Sequence, residues 1–213
     1  MKAGLPTAQW ALIGLVAIGT PLAAWGADYP PNTLLQVGPI ALGLVAAFPM
    51  LRRWPLSTAS VGYAAMFLML HLFAARWTYS DVPYEAWGKA VGIDIDRTFG
   101  FTRNMFDRLV HFGFGVLAVP IIVEARRRYL GASRSSALVA AVMWVFAVSA
   151  AYEIFEWFLA VVMDPAAADA HNGQQGDVFD SPKDMAMAGL GSIITAGMIF
   201  VRPGESSPDE KLE

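Results

Sequence analysis

Six runs of apolar residues, each long enough to form a bilayer-spanning helix, alternate along the chain with polar stretches. They cover about residues 8–25, 33–51, 56–75, 105–123, 136–163 and 184–201. Lys2 precedes the first run, and Pro21 lies near its end. Arg52-Arg53 stops the second, Arg76-Trp77 the third, Glu124-Ala125-Arg126-Arg127-Arg128 the fourth and Arg202-Pro203-Gly204 the sixth. Two longer polar stretches interrupt the pattern, at 78–104 and 164–183. In the first of them, residues 83–91 with Tyr84 and Trp87 predict an interfacial helix packed at the outer surface. The pattern predicts an all-α fold: a polytopic transmembrane bundle of six spans, forming one integral-membrane domain over residues 1–213, with no internal repeat. The first run has some features of a signal peptide, with a basic start and small residues at Ala24 and Gly26. It is long for one, and the expectation is that it stays.

Composition narrows the function classes. Hydrophobic residues make up 56% of the chain and charged ones 15%, with a mean hydropathy of +0.46. Soluble domains carry about 25% charged residues. A cytosolic enzyme, a nucleic-acid binder and a disordered chain are therefore poor fits, and a lipid bilayer is the expected surrounding. The absence of cysteine excludes disulfides, thiolate metal sites, iron–sulfur clusters and cysteine nucleophiles.

Net charge is −3, but its distribution says more than its sum. With the N-terminus inside, nine basic residues fall on the cytoplasmic side (Lys2, Arg52, Arg53, Arg126, Arg127, Arg128, Arg134, Arg202, Lys211) and six outside (Arg76, Lys89, Arg97, Arg103, Arg108, Lys183). The positive-inside rule then predicts both termini in the cytoplasm, with the arginines at 126–128 as a topology anchor. Trp10, Trp25, Trp54 and Trp77 sit near span ends, as interfacial aromatics do. Only five acids lie inside and thirteen outside, and His71, His111 and His171 are also outside. An acidic, histidine-bearing outer face attracts cations.

Ionisable groups within the spans cost at least about 2.5 kcal/mol each at mid-bilayer, which makes them functional candidates. Asp107 and His111 are i,i+4 on one helical face, with Arg108 one step round. Gly113 and Gly115 permit close helix approach. Glu153 and Glu156 are i,i+3 on the fifth span. Two such carboxylates need a metal, an arginine or a shared proton to relieve them. His111, Glu153 and Glu156 all lie roughly 10–15 Å below the outer boundary at 1.5 Å per residue. The loop before the last span adds Gln175, Gly176, Asp177, Asp180 and Asp184. Asp180 or Ser181 is a natural N-cap, Pro182 suits a first turn and Asp184 the positive end of a helix dipole; Asp177 and the Gln-Gly pair have no such account. His171 reads as a solvated loop residue, His71 as a hydrogen-bond partner of a neighbouring helix, and the ten methionines as apolar fill.

Asp107-Arg108-x-x-His111-x-Gly113, Glu153-x-x-Glu156-Trp157, Tyr79-x-x-Val82-Pro83 and Gln175-Gly176-Asp177-x-x-Asp180-x-x-x-Asp184-Met185 together resemble the YjdF-like family of bacterial inner-membrane proteins. The resemblance covers most of the chain from the second span to the sixth. It implies an inner-membrane location and this architecture, and no particular activity. The order of acid, base, His, then a Glu motif and a spaced Asp is more distantly similar to VanZ-like envelope proteins, which are associated with glycopeptide-antibiotic resistance. Glu156 stands where that pattern would have an amide.

Three readings follow. In the first, His111, Glu153, Glu156 and Asp177 bind a divalent metal (Zn, Mn, Fe, Mg or Ca), with Asp184 or His71 as further ligands. Asp107 then orients a ligand, Arg108 holds a phosphate or carboxylate, and metal-bound water attacks an ester or phosphoester of a lipid or cell-wall precursor. In the second, the chain is a cation-coupled transporter, although residues 113–123, 135–152 and 185–201 contain no charged side chain. In the third, Arg108 pairs with Glu153 or Glu156 and the cluster is structural glue between helices.

Overall fold

The computed structural model describes residues 4–27 and 29–202, so Lys2, Asp28, Lys211 and the charged tail lie outside the described residues. Among the described residues nine helices follow in order: α1 (Thr7–Ala24), α2 (Pro30–Arg53), α3 (Thr58–Ala75), α4 (Tyr84–Ala90), α5 (Ile95–Phe99), α6 (Phe106–Leu130), α7 (Arg134–Val162), α8 (Pro165–Asn172) and α9 (Asp180–Val201). No strand occurs among the described residues. Helices α1, α2, α3, α6, α7 and α9 are each long and apolar enough to cross a membrane.

Local chemistry sets many of the ends. Ser57 caps α3 by accepting from the Ser60 N–H at 3.1 Å, and Ser133 caps α7 by accepting from the Ser136 N–H at 3.3 Å. Pro30 and Pro31 open α2, where a missing N–H costs nothing. α6 stops at Gly131, which adopts the left-handed conformation at φ 59°.

Three features depart from the apolar pattern. α6 runs on past Val123 to Leu130, because Glu, Ala and Arg are good helix formers and Glu124 pairs with Arg128 at 2.9 Å. α9 begins one turn early, at Asp180; neither Asp180 nor Ser181 caps it, and Phe179 at the cap position makes no side-chain capping bond. The 164–183 stretch is not simply a loop, since it contains α8.

α6 is the hub of the bundle, packed on α9, α7 and α3, while α1 packs on α3 and α2. α6 and α9 run parallel and approach backbone to backbone. A Cβ on Gly115 would sit 2.0 Å from the Ala188 carbonyl oxygen, and one on Gly191 2.4 Å from that of Phe112. Only glycine permits this contact, which draws the first turns of α6 and α9 together. Leu42, Val45, Val139, Val161 and Ile193 point outward, each more than half exposed, as a lipid-facing surface requires.

Candidate functional site

The first turns of α6 and α9 meet the last turns of α7, and the ionisable residues divide there into two neighbouring groups. The first is an ion-pair network. Arg108 Nη2 donates to Asp180 Oδ1 at 2.7 Å and to Asp177 Oδ2 at 3.0 Å, and its Nε lies 3.6 Å from Asp184 Oδ1. Arg103 Nη1 also pairs with Asp180 and lies 3.7 Å from Asp177. Lys183 Nζ approaches Asp177 to 2.7 Å, and this ammonium holds the Asp177 carboxyl below the usual carboxylate range.

The same residues pin the loop that leads into α9. Arg103 donates to the carbonyl oxygens of Gln174 and Gly173, both at 3.0 Å. The Gln175 side chain grips the backbone of Asn104 from both sides: Nε2 donates to its oxygen at 3.1 Å and Oε1 accepts from its N–H at 2.9 Å. Gly176 turns the chain at φ 81°. That accounts for the Gln-Gly-Asp block as a latch.

The expected pairing of Arg108 with Glu153 or Glu156 is not what forms. Its partners are Asp177, Asp180 and Asp184, because the glycine-mediated crossing brings the start of α9 onto the start of α6. Asp177 is engaged by three cations, and Asp180 is held by two arginines.

The second group is acid-rich and short of donors. Asp107, His111 and Asp184 each offer one ligand atom, and these atoms lie within 4.8 Å of one another. His111 Nε2 is 3.5 Å from Asp107 Oδ1 and 3.8 Å from Glu153 Oε1. Asp107, Glu153 and Asp184 are buried. Among the described residues, Asp184 Oδ1 and Glu153 Oε1 have no hydrogen-bond partner. Glu156, one turn further along α7, is half-buried and stands beside this group; its backbone oxygen accepts from Asn172 Nδ2 at 3.1 Å.

The two other histidines sit apart. His71 hydrogen-bonds to a neighbouring helix, as expected: its Nε2–H donates to the Gln36 carbonyl oxygen on α2 at 3.1 Å, and its Nδ1 accepts from the Tyr79 hydroxyl. Burial pushes the Tyr79 phenol well up, so it keeps its proton and acts as the donor. Both ring nitrogens of His71 are thus occupied. His171 is not solvated. α8 folds against α7 and turns this ring inward, 4% exposed and edge-on to Phe155 at 6.4 Å. Burial lowers its pKa, and neither ring nitrogen has a hydrogen-bond partner among the described residues.

Arg103, Asn104 and Gln36 carry roles that sequence reasoning missed. Arg103 had a signal, since it is among only six outer basic residues and stands five before Arg108. Across both groups, Arg103, Arg108 and Lys183 face the carboxyls of Asp107, Glu153, Glu156, Asp177, Asp180 and Asp184. Three cations do not balance six acids in a low dielectric, and protons or a further cation must make up the difference. Carboxylate oxygens with one imidazole suit Mn, Zn or Mg.

Known proteins bear on the same residues. The chain is 29% identical over 164 residues to the inner membrane protein YjdF of Escherichia coli (strain K12), covering 76% of this chain and 74% of that protein. No solved structure matches it. A family model described as a predicted membrane protein (DUF2238) matches residues 8–204, which takes in every site residue named above and all six spans but for Thr7. The chain therefore belongs to the DUF2238 family and is a multi-pass protein of the inner membrane, embedded in the lipid bilayer.

Proposed function

We propose that the chain binds a divalent metal ion among Asp107, His111 and Asp184 and uses it to hydrolyse an ester or phosphoester of a membrane lipid or cell-envelope precursor. One observation carries this reading: three ligand atoms from two helices lie within 4.8 Å, beside two buried carboxylate oxygens, of Asp184 and Glu153, that have no hydrogen-bond partner among the described residues and only long contacts to Arg108 (3.6 Å) and His111 (3.8 Å). Glu153 supplies a further oxygen close to His111. A divalent ion held there polarises a carbonyl or phosphoryl oxygen and lowers the pKa of a bound water. Glu156, half-buried at the edge of the group, is the proposed general base. The lysine and arginine distribution orients this end of the bundle away from the cytoplasm. Residues 113–123, 135–152 and 185–201, on α6, α7 and α9, carry no charge, which speaks against an ion path across the membrane.

A structural role has its own support in the Arg103–Arg108–Asp177–Asp180 network, which latches the loop to α6. Metal analysis of detergent-purified protein separates the two. Wild type is expected to carry about one metal ion per chain, lost in Asp184→Asn and His111→Ala with folding retained. Lipid esters and phosphoesters supplied to metal-loaded protein should be cleaved, and chelation should abolish cleavage. A folded wild-type protein that is free of metal after purification and takes up none on titration would overturn the proposal.

A further inference from the structure

A cavity of about 520 Å³ runs along α2 and α3. Its wall is almost wholly apolar, with Val16, Ile40, Leu44, Val61, Ala65 and Leu68 among the lining residues. It arises because α2 packs mainly on α1, meets α3 only sparingly, and no packing joins α3 to α7 among the described residues. On α2 the lining extends from Leu35 to Leu51. The sixteen helical steps between them span about 24 Å, most of the roughly 30 Å hydrocarbon thickness of a bilayer. Leu35 and Met50, at either end of that run, are 42% and 55% exposed, so the groove opens sideways towards lipid.

The polar groups of this groove are concentrated at one end. Gln36 is 5% exposed, and neither its side-chain oxygen nor its nitrogen has a partner among the described residues. His171, lining the same end, likewise has no hydrogen-bond partner among the described residues. At the far end Ser60 is already committed, donating to Glu124 at 2.5 Å. A second cavity of about 200 Å³ shares Phe67, His71 and Tyr152 with the first and reaches His111. It is also lined by Ser149, which is buried with its hydroxyl unpartnered. An apolar trough of nearly bilayer length thus leads, past unsatisfied hydrogen-bonding groups, to His111, one of the candidate metal ligands.

We infer that the groove holds one acyl chain of a bilayer phospholipid, with the ester linkage at Gln36 and His171 and so directed at the His111 group. This deepens the reading above by naming the substrate class, and rests on it for what happens to the lipid; binding itself needs no metal. A hydrocarbon chain that moves from bilayer to groove gains little, because lipid tails are as apolar as the wall. Selection therefore comes from the polar end. An ester carbonyl accepts from Gln36 Nε2 or from a His171 N–H, satisfying groups whose isolation in an apolar setting is costly.

The test is photolabelling in nanodiscs made of phosphatidylethanolamine with a diazirine along one acyl chain. Label is expected to concentrate on the groove-lining residues of α2 and α3 and to fall several-fold in Gly43→Phe. A Cβ at Gly43 meets nothing within 4 Å, so the ring enters space without displacing backbone. Gln36→Leu, which leaves the groove open, should lower the label while Ile193→Phe, on an exposed part of α9, should not. Label spread evenly over all outward-facing helices and unchanged in Gly43→Phe would overturn the inference, as would a cross-linked dimer showing that a second copy fills the groove. Metal content is read on the same samples. Normal metal with no groove labelling removes this inference alone, whereas groove labelling of a metal-free protein removes the hydrolase reading alone.

Discussion

At one end of the bundle Glu124 accepts from the Ser57 N–H at 2.7 Å, the Ser57 hydroxyl at 2.6 Å and the Ser60 hydroxyl at 2.5 Å, and pairs with Arg128 at 2.9 Å. At the other end Asp184 has one arginine nitrogen at 3.6 Å, and Glu153 has an oxygen with no hydrogen-bond partner. Glu124 is half-buried, whereas Asp107, Glu153 and Asp184 are buried. Only the first end supplies each oxygen with donors, and there the result is a joint between the start of α3 and the end of α6. The second end spends its arginines on Asp177 and Asp180 and leaves Asp107, Glu153 and Asp184 short. That contrast, a fully satisfied carboxylate at one end and under-satisfied ones at the other, is what the proposed metal site rests on.

The sharpest way to break that comparison is to remove Arg108. Arg108→Ala leaves Asp177 and Asp180 with less countercharge and should cost about 3–5 kcal/mol, read as unfolding in detergent. Adding Asp180→Asn should recover part of the loss. A stable single variant would mean that ion pairs do not hold this end. Next in size is Gly115→Ala, whose new methyl group meets backbone at 2.0 Å. Overpacking should cost about 1–3 kcal/mol and, by moving α9 off α6, lower metal content although no ligand has changed. Retained metal would show that the site does not depend on the crossing. Glu124→Ala should cost less, about 1–2 kcal/mol, because Ser57 lies near the helix end where water replaces the lost carboxylate. Its metal content should equal that of wild type, so a fall would erase the distinction between the ends.

The smallest effect is one of pH. Burial lowers the pKa of His171, so an undocked α8 takes up a proton before the docked one does. Docking is therefore undisturbed above the ordinary histidine pKa of about 6.5 and weakens as pH falls below it. Amide exchange in α8 should rise between about pH 7.5 and about pH 5.5, and His171→Phe should flatten the change. Asp177 behaves in the opposite sense. Its lowered pKa keeps the loop latch intact above the ordinary aspartate range of about 3.9, with loss only as pH falls through it, so the two titrations stay separate.

Much of this was legible along the chain. The six apolar runs correspond to the six long helices within four residues at every end but that of α6, which runs on to Leu130, and the i,i+4 relation of Asp107 and His111 survives as a 3.5 Å contact. Where reading stopped, the missing information was non-local. Asp180 looked like a helix cap because its near neighbours suit one, yet its partners, Arg103 and Arg108, stand more than seventy residues earlier. His171 looked solvated because the residues around it are polar, yet α8 folds back and buries it.

Periodicity, caps and charge depend on residues within a turn or two of one another, and these determined the number of spans, the membrane setting and the end of the bundle that gathers acids. Which helices become neighbours depends on how their surfaces fit. Two glycines allow α6 and α9 to touch, which hands Arg108 to α9 and leaves His111 among carboxylates. The standing-off of α2 opens a groove that no stretch of sequence announces, since a cavity is a property of surfaces that fail to meet.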